Sequence, residues 1–407
     1  MDLQKKYIFV AWCKQIFKRK MMPLIFSTEK NKPMIIGVLK EQENENRVAL
    51  LPEHVIQLKK WGVEVWVEAG SGKSAFADDA QYLAAGAEIS DAPSILAKAN
   101  VLLSVAVPRQ EVLQGISGSQ YLLGTFNPVF NRPAVEAMQR SGATVFSLDF
   151  VPRTTRAQAM DVLSSMATIA GYKAVLEAAS RLPRFFPMFM SAAGTIKPAK
   201  VLILGAGVAG LQAIAIARKL GAVVEVFDVR SAVKEEVKSL GGKFIEVEGA
   251  REDAAAGGYA VEQSEEFIRK QRQLIHDHAS NADIVICTAQ VFGKKAPLLL
   301  TRTTVEAMRP GSIVIDLAAS TGGNCELTQN NQTIWHGQVL IIGKSNYPSE
   351  MPFDASKMYG NNLLNFLKLI ITKDGQLQVP FEDDIIQSTC IVKQGQIVNE
   401  RYLKLIK

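Results

Sequence analysis

The sequence predicts an α/β protein of two doubly wound parallel-sheet domains with a cleft between them. Three observations carry that expectation. Short apolar runs of the buried-strand type recur along the 407 residues, separated by helical patterns. A glycine-rich turn sits between one such run and a helix near mid-chain. The runs fall into two groups, one on each side of a long helical pattern at 155–182.

In the first group, strands are expected at 35–39, 63–68, 101–107, 121–126 and 144–150. Helices are expected between them at 52–61, 79–86, 93–99 and 133–141. In the second group the expected strands are 201–207, 223–229, 244–247, 283–289, 312–318 and 339–344. A helix at 208–220 joins the first two, closed by Gly221, where a left-handed residue ends a helix without steric cost. The 155–182 pattern bridges the groups, and a helix at 354–371 returns the chain to the first. The expected domains are therefore 34–163 plus 354–407, and 164–353, with the cleft between them as the default site. Residues 249–270 exceed the usual connection in such sheets. They read either as a mobile lid tipped by Gly257-Gly258-Tyr259-Ala260 or as a surface excursion into a charged helix.

Charge narrows the function classes. The net charge is +6, from 46 Lys+Arg against 40 Asp+Glu. Residues 1–33 hold eight bases and two acids, so the rest of the chain is neutral, with 38 of each sign. That balance argues against a broad nucleic-acid face. The basic segment 1–33 is expected to be a disordered leader or a mis-called start, with a basic membrane-surface segment as the alternative. Cys13, Cys287, Cys325 and Cys390 lie far apart with no C-x-x-C, which favours reduced thiols over disulfides or a zinc site. No stretch approaches the roughly 18–20 apolar residues of a membrane span.

Gly205-Ala206-Gly207-Val208-Ala209-Gly210 matches G-x-G-x-x-G in the required context, after a strand and opening a helix. Gly205 permits the tight turn, Gly207 lets the backbone approach a pyrophosphate, and Gly210 lets helix and strand pack closely. Asp228 ends the next strand, 23 residues after Gly205. A carboxylate there accepts from ribose hydroxyls and repels a 2′-phosphate, which favours NAD over NADP, while Arg230 weakens that preference. The expected fold is thus Rossmann-like. The candidate cofactor-binding residues are Gly205, Gly207, Val208, Ala209 and Gly210, then Asp228, Val229 and Arg230, Thr288 and Ala289 at the end of a later strand, and Gly258 and Tyr259 of the lid.

A second polar group, Arg153, Gln158, Asp161 and Ser164, lies where a strand becomes a helix. The last three are spaced by three and can share a helical face. A solvated helix start, capped by Thr154 or Thr155 with Gln158 as its capping-box partner, explains the same residues. The four histidines, His54, His276, His278 and His336, occupy no catalytic context, and His276 and His278 make a poor metal pair. No metal-binding set is expected, and no G-x-S-x-G, H-E-x-x-H or P-loop occurs.

These residues together resemble the alanine dehydrogenase/transhydrogenase α family, and within it the NAD(H)-binding component of proton-translocating transhydrogenase. The resemblance rests on 153–165, on Gly205–Gly210 with Asp228-Val229-Arg230, and on the 257–260 tip. It extends to Asp316-Leu317-Ala318, Gly322-Gly323-Asn324-Cys325 and Asn362-Leu363-Leu364-Asn365-Phe366-Leu367. It implies hydride transfer between NAD(H) on this chain and NADP(H) on a partner, coupled to proton movement across a membrane. It also implies that Arg153, Gln158, Asp161 and Ser164 flank the nicotinamide, with Arg153 and Asp161 holding each other. The implied partners are a second copy of the chain, one or more membrane-spanning subunits, and an NADP(H)-binding β subunit. The implied location is peripheral, on the cytoplasmic face of the inner membrane. Hydride passage between two nicotinamide rings needs positioning and exclusion of water, not a general acid or base, in keeping with the missing proton-handling group. The alternative is an amino-acid dehydrogenase like alanine dehydrogenase. Its catalytic Lys and His fall near Ala106 and Thr125 here, neither of which handles a proton.

Overall fold

A computed structural model describes residues 33–247 and 264–406. The leader expected at 1–33, apart from Pro33, and the lid tip with Gly258 and Tyr259 lie outside the described residues. Among those residues the chain forms two large sheets and a small hairpin. The first sheet takes β1 (Ile35–Val38), β2 (Glu64–Glu68), β3 (Glu88–Ser90), β4 (Val101–Leu103), β5 (Tyr121–Gly124) and β6 (Thr144–Ser147), all parallel. The hairpin pairs β7 (Phe189–Ser191) with β8 (Gly194–Ile196). The second sheet takes β9 (Lys200–Leu204), β10 (Val223–Phe227), β11 (Lys243–Ile245), β12 (Ile284–Cys287), β13 (Ile313–Asp316), β14 (Thr333–His336) and β15 (Val339–Ile342). Finally β16 (Cys390–Lys393) and β17 (Gln396–Ile397) return antiparallel to the edge of the first sheet.

Both sheets follow one winding rule. The first runs β3-β2-β1-β4-β5-β6 before its antiparallel edge. The second runs β11-β10-β9-β12-β13-β15, with β14 antiparallel outside. Numbering the parallel strands within each sheet gives 3-2-1-4-5-6 twice. Each sheet therefore has a switch point beside its first strand, where neighbouring crossovers leave to opposite faces and open a crevice at the carboxyl ends. The core matches this layering. Val38, Val67 and Leu103 pack on one face of the first sheet with Tyr359, Leu363 and Leu367 of the helix Pro352–Ile370, while Leu102, Leu122 and Val145 pack on the other. Ile203, Val226 and Ile286 face the helix Val208–Lys219, and Leu204, Val285 and Val314 face the opposite layer.

The expected strands form in order, but several stop short of their apolar runs, for a reason local to each. β4 ends at Leu103 because the buried Glu41 carboxylate takes the next amides, Val105 N–H at 2.6 Å and Ala106 N–H at 3.1 Å. β12 ends at Cys287, beyond which Ala289 N–H bonds to Asn324 Oδ1 at 3.0 Å. β13 ends at Asp316, whose own side chain accepts Ala318 N–H at 2.9 Å. Strands β3, β14, β16 and β17 carry no long apolar run and go beyond the sequence expectation. β14 is an edge strand with Trp335 66% exposed, so it lacks the two-sided burial that marks a central parallel strand.

The bridging helix differs from expectation. The 155–182 pattern is broken at Asp161 into a 3₁₀ turn, Thr155–Met160, and an α-helix, Val162–Arg181. Gly171 of that helix lies against the start of the helix Val208–Lys219. A Cβ on Gly171 would stand 2.1 Å from the Ala209 carbonyl oxygen. We predict that Gly171→Ala, which must push two backbones apart, costs about 1–3 kcal/mol of stability, read as a lowered denaturant midpoint at unchanged m-value.

Candidate nucleotide site

The crevice of the second sheet is built by β9 and its turn. Gly205 has φ +105°, a conformation open to glycine, and a side chain there would strike Thr288 Oγ1 at 2.7 Å. A Cβ on Gly210 would stand 2.0 Å from the Gly205 carbonyl oxygen, so this glycine is needed for the helix to seat on the strand. At Gly207 nothing lies within 4 Å of such an atom. Two glycines thus close the turn and the third leaves open space at the N-terminus of a 12-residue helix, where unpaired amides and the helix dipole favour an anion. Val208 is 40% exposed beside that opening and Ala209 carries the contact with Gly171.

Asp228 follows β10 and is 9% exposed. Its Oδ2 accepts Ala206 N–H at 2.7 Å, which binds the acid directly to the glycine turn. Arg230 donates its backbone N–H and Nε to Oδ1, both at 2.9 Å, and Nη2 to Oδ2 at 2.7 Å. The pairing holds the guanidinium firmly charged. Val229, between the two, is half-buried against the core. On the other side of β9, Thr288 Oγ1 donates to the Gly205 carbonyl at 2.9 Å. Ala289 is held at both backbone groups by Asn324, N–H to Oδ1 at 3.0 Å and Nδ2 to the carbonyl at 2.8 Å. Asn324 is itself set by Asp316, whose Oδ2 accepts the amides of Asn324 and Cys325 at 2.8 and 2.9 Å and Thr328 Oγ1 at 2.7 Å. Burial pushes the Asp316 carboxyl up while those donors pull it down. The chain Asp316–Asn324–Ala289 gives physical content to two motifs whose part in shaping this loop is not legible in the sequence.

The polar group at 153–164 is organised differently from the expected single helical face. Asp161 is the N-cap of the helix Val162–Arg181, accepting Ser164 N–H at 2.9 Å and Ser164 Oγ–H at 2.6 Å. Thr154, expected as a cap, makes no side-chain capping bond, because the cap of the regular helix lies seven residues later. Gln158 lies on the 3₁₀ turn and is exposed, as is Arg153. That turn is pinned from two sides. Asn362 and Asn365 of the helix Pro352–Ile370 donate to the Ala159 carbonyl at 2.8 and 3.3 Å. Arg156 forms a fork with Asp383, at 2.7 and 2.9 Å, and also reaches Asp384. Ser164 and Gly171 are seven residues apart on one helix, so the polar turn stands about 10 Å along that helix from the glycine loop.

No histidine attends either group. His54 is buried and accepts Leu51 N–H at 2.9 Å, His276 meets Thr304, and His278 and His336 meet Glu225 and Glu306. No set of potential metal ligands occurs among the described residues. Cys287, Cys325 and Cys390 are free and buried. No helix among the described residues is long and apolar enough to cross a membrane. A recess of about 410 Å³ lined by Arg184, Asp283 and Arg309 lies at the opposite, amino ends of β9, β12 and β13, away from the glycine loop.

Comparison with known proteins places this geometry. Family profiles described as "Alanine dehydrogenase/PNT, N-terminal domain" and "Alanine dehydrogenase/PNT, C-terminal domain" match residues 37–170 and 174–400. The chain belongs to the alanine dehydrogenase/PNT family. It is 44% identical over 376 residues to the first of the chains that make up the NAD(P) transhydrogenase subunit alpha of Rhodospirillum rubrum, covering 90% of this chain and 98% of that one. Among solved structures it resembles a transhydrogenase from Sinorhizobium meliloti, with TM-score 0.78 and 38% identity over 90% of this chain and 99% of that one. An L-alanine dehydrogenase has nearly the same likeness of fold, TM-score 0.77, but 25% identity, over 91% of this chain and 99% of that one.

Within this alanine dehydrogenase/PNT chain, the crevice of the first sheet holds groups that motif reading passes over. Ala106 donates its amide to Glu41, and Thr125 Oγ1 donates to Tyr359 Oη at 3.4 Å. Burial raises Glu41 to about 8 and Asp149, which accepts from Ser147 Oγ, to about 6. Arg47 is engaged by Glu45 at 2.6 Å. A carboxyl raised in the folded state favours the protonated native protein, so its support is full at low pH and is lost as pH rises from about 4.5 to about 8. We predict that wild-type Tm falls between pH 6 and pH 8.5 and that Glu41→Gln, which keeps one acceptor, flattens this fall by on the order of a few degrees.

Proposed function

We propose that the chain is the NAD(H)-binding component of a proton-translocating NAD(P) transhydrogenase. On this reading NAD(H) binds here, NADP(H) binds on a partner β subunit, and hydride passes between their nicotinamide rings. The observation that carries the proposal is the 44% identity to a transhydrogenase alpha-subunit chain, spanning 98% of that protein. The geometry supports it. Gly207 leaves room for a pyrophosphate at a helix N-terminus, Asp228 stands beside the place a ribose would take, and the Thr288–Ala289 turn closes the other side of β9. Arg153, Gln158, Asp161 and Ser164 take the nicotinamide side. Asp161 and Ser164 hold the turn by capping, while Gln158, exposed on a pinned turn, is suited to reach a second nucleotide across an interface. Gly258 and Tyr259 belong to the proposed lid.

The division into 34–163 plus 354–407, and 164–353, follows the two sheets and puts both crevices on a shared cleft. The proposed assembly is a homodimer, with membrane-spanning subunits that hold this chain at the cytoplasmic face of the inner membrane. The β7–β8 hairpin supports a self-association surface. Phe189, Met190 and Ile196 on it are 43%, 69% and 41% exposed, and Phe189 stacks on Phe185 at 4.8 Å between ring centroids. The amino-acid dehydrogenase reading has the same fold but places Ala106 and Thr125 where a proton carrier is needed.

We predict that the purified chain with its NADP(H)-binding partner reduces an NAD analogue from NADPH, and that alone it does not oxidise alanine with NAD. Gln158→Ala is expected to lower kcat at least ~10-fold with NADH binding retained. Asp161→Ala adds a lost cap worth about 1 kcal/mol, so Asp161→Asn is the cleaner probe of its charge. Normal turnover after Gln158→Ala with Asp161→Asn would refute the assigned roles. Met190→Asp is expected to shift light-scattering mass from dimer to monomer.

A further inference from the structure

The acid assigned to the ribose is heavily occupied. A carboxylate offers roughly four lone-pair positions. Asp228 receives Arg230 N–H and Nε on Oδ1, and Ala206 N–H and Arg230 Nη2 on Oδ2. The two backbone donors are fixed by the turns that carry them. The two guanidinium bonds are different, because they belong to a flexible side chain that is 26% exposed. A ribose diol therefore meets Asp228 by displacing or rearranging Arg230.

We propose that Arg230 is a latch on the ribose site. It competes with the diol for Asp228, and its charge decides how strongly the site rejects a 2′-phosphate. The proposal rests on reading this crevice as the NAD(H) site. Two physical effects follow from the geometry. A bidentate, charge-assisted pair must be opened before the diol binds, so the apparent dissociation constant rises with the fraction of time the pair is closed. A paired carboxylate also repels a phosphate less than a bare one, and a guanidinium held at the ribose edge is a natural phosphate partner. Asp228 thus supplies the discrimination and Arg230 moderates it. The two side chains act as one unit, so their substitutions are expected to be non-additive.

The test is a matrix of dissociation constants for NADH and NADPH, measured by fluorescence titration on the full chain. Wild type, Arg230→Gln, Arg230→Lys, Asp228→Asn and the Asp228→Asn/Arg230→Gln double variant are compared. Arg230→Gln is expected to bind NADH about 5-fold tighter and NADPH more weakly, widening discrimination at least ~10-fold. Arg230→Lys keeps the charge without the fork and should fall between it and wild type. Asp228→Asn keeps an acceptor for Ala206 N–H and should gain NADPH affinity ~10-fold, a gain that the double variant loses. Unchanged or weaker NADH binding by Arg230→Gln, with unchanged preference, would overturn the latch alone. A wild type that binds neither nucleotide would overturn the reading of the site and the latch with it.

Discussion

The backbone contact at the start of the helix Val208–Lys219 is the constraint on which the rest of the structure depends. Gly210 lies on the Gly205 carbonyl, and Gly171 lies on the Ala209 carbonyl. The nucleotide helix is thereby clamped between the end of β9 and the middle of the helix Val162–Arg181. Neither contact tolerates a side chain without movement, because packed interiors have no spare volume at that separation. The clamp joins what the topology would otherwise leave apart. The helix capped by Asp161 follows the first group of strands, yet roughly three turns later it rests on the glycine loop of the second. Displacement of the loop therefore moves the polar turn at 155–160 as part of one body.

Carboxylates shape the loops around that clamp. Asp316 gathers amides and a hydroxyl to fold the Gly322–Cys325 segment, which positions Asn324 and through it Ala289. Glu41 ends β4 by taking two amides, Asp161 starts the long helix, and Asp383 takes both Arg156 and the amide of Ile385 at 2.9 Å. Each satisfies backbone donors that a loop leaves unpaired, a need that buried polar groups must meet to avoid a desolvation penalty. The segments joining the two sheets are tied in the same way. Asn46 bonds to Ser349 through its amide at 2.8 Å, and Lys344 bridges Glu177 at 3.1 Å and Glu350 at 2.7 Å. Phe292, just beyond Ala289, packs edge-on against Phe150 at 5.0 Å and carries Arg401 over its ring at 4.2 Å, so the nucleotide loop is also anchored on the first sheet's side.

Legibility in the sequence tracks how local each cause is. The winding of both sheets can be read because a parallel strand buried on both faces leaves a continuous apolar run, and each such run finds its strand. The glycine loop and Asp228 are legible because turn, close approach and ribose contact impose residue types at fixed spacing. The ends of strands are not. Val105, Ala289 and Ala318 extend apolar runs, but side chains distant in sequence, or a turn of the chain's own, capture their amides. The break at Asp161 is hidden for a related reason. The run 155–182 has helical composition throughout, and only the capping bonds from Ser164 show that the helix starts inside it. Arg230 is visible as a charge near the ribose acid, but its fork onto both carboxylate oxygens depends on a turn that spacing alone does not specify.

The polar groups of the two crevices have been allotted different kinds of work. Around the second sheet the acids are spent on hydrogen bonds within the chain: Asp228 on Ala206 and Arg230, Asp316 on Asn324 and its neighbours, Asp161 on Ser164. None of them stands as a free base. Gln158 is neutral, exposed and carried on a pinned turn, so it can donate or accept without changing its own charge. A site of that kind suits a reaction limited by the placement of two reactants and the exclusion of water, where effective concentration supplies most of the acceleration. The raised carboxyls, Glu41 and Asp149, sit in the first crevice, away from the glycine loop, where a dehydrogenase that moves a proton would need them supported by a Lys or His. Ala106 and Thr125 provide neither. Their side chains leave that crevice as a scaffold, and the chemistry falls to whatever nucleotide the second crevice brings to the edge of the pinned turn.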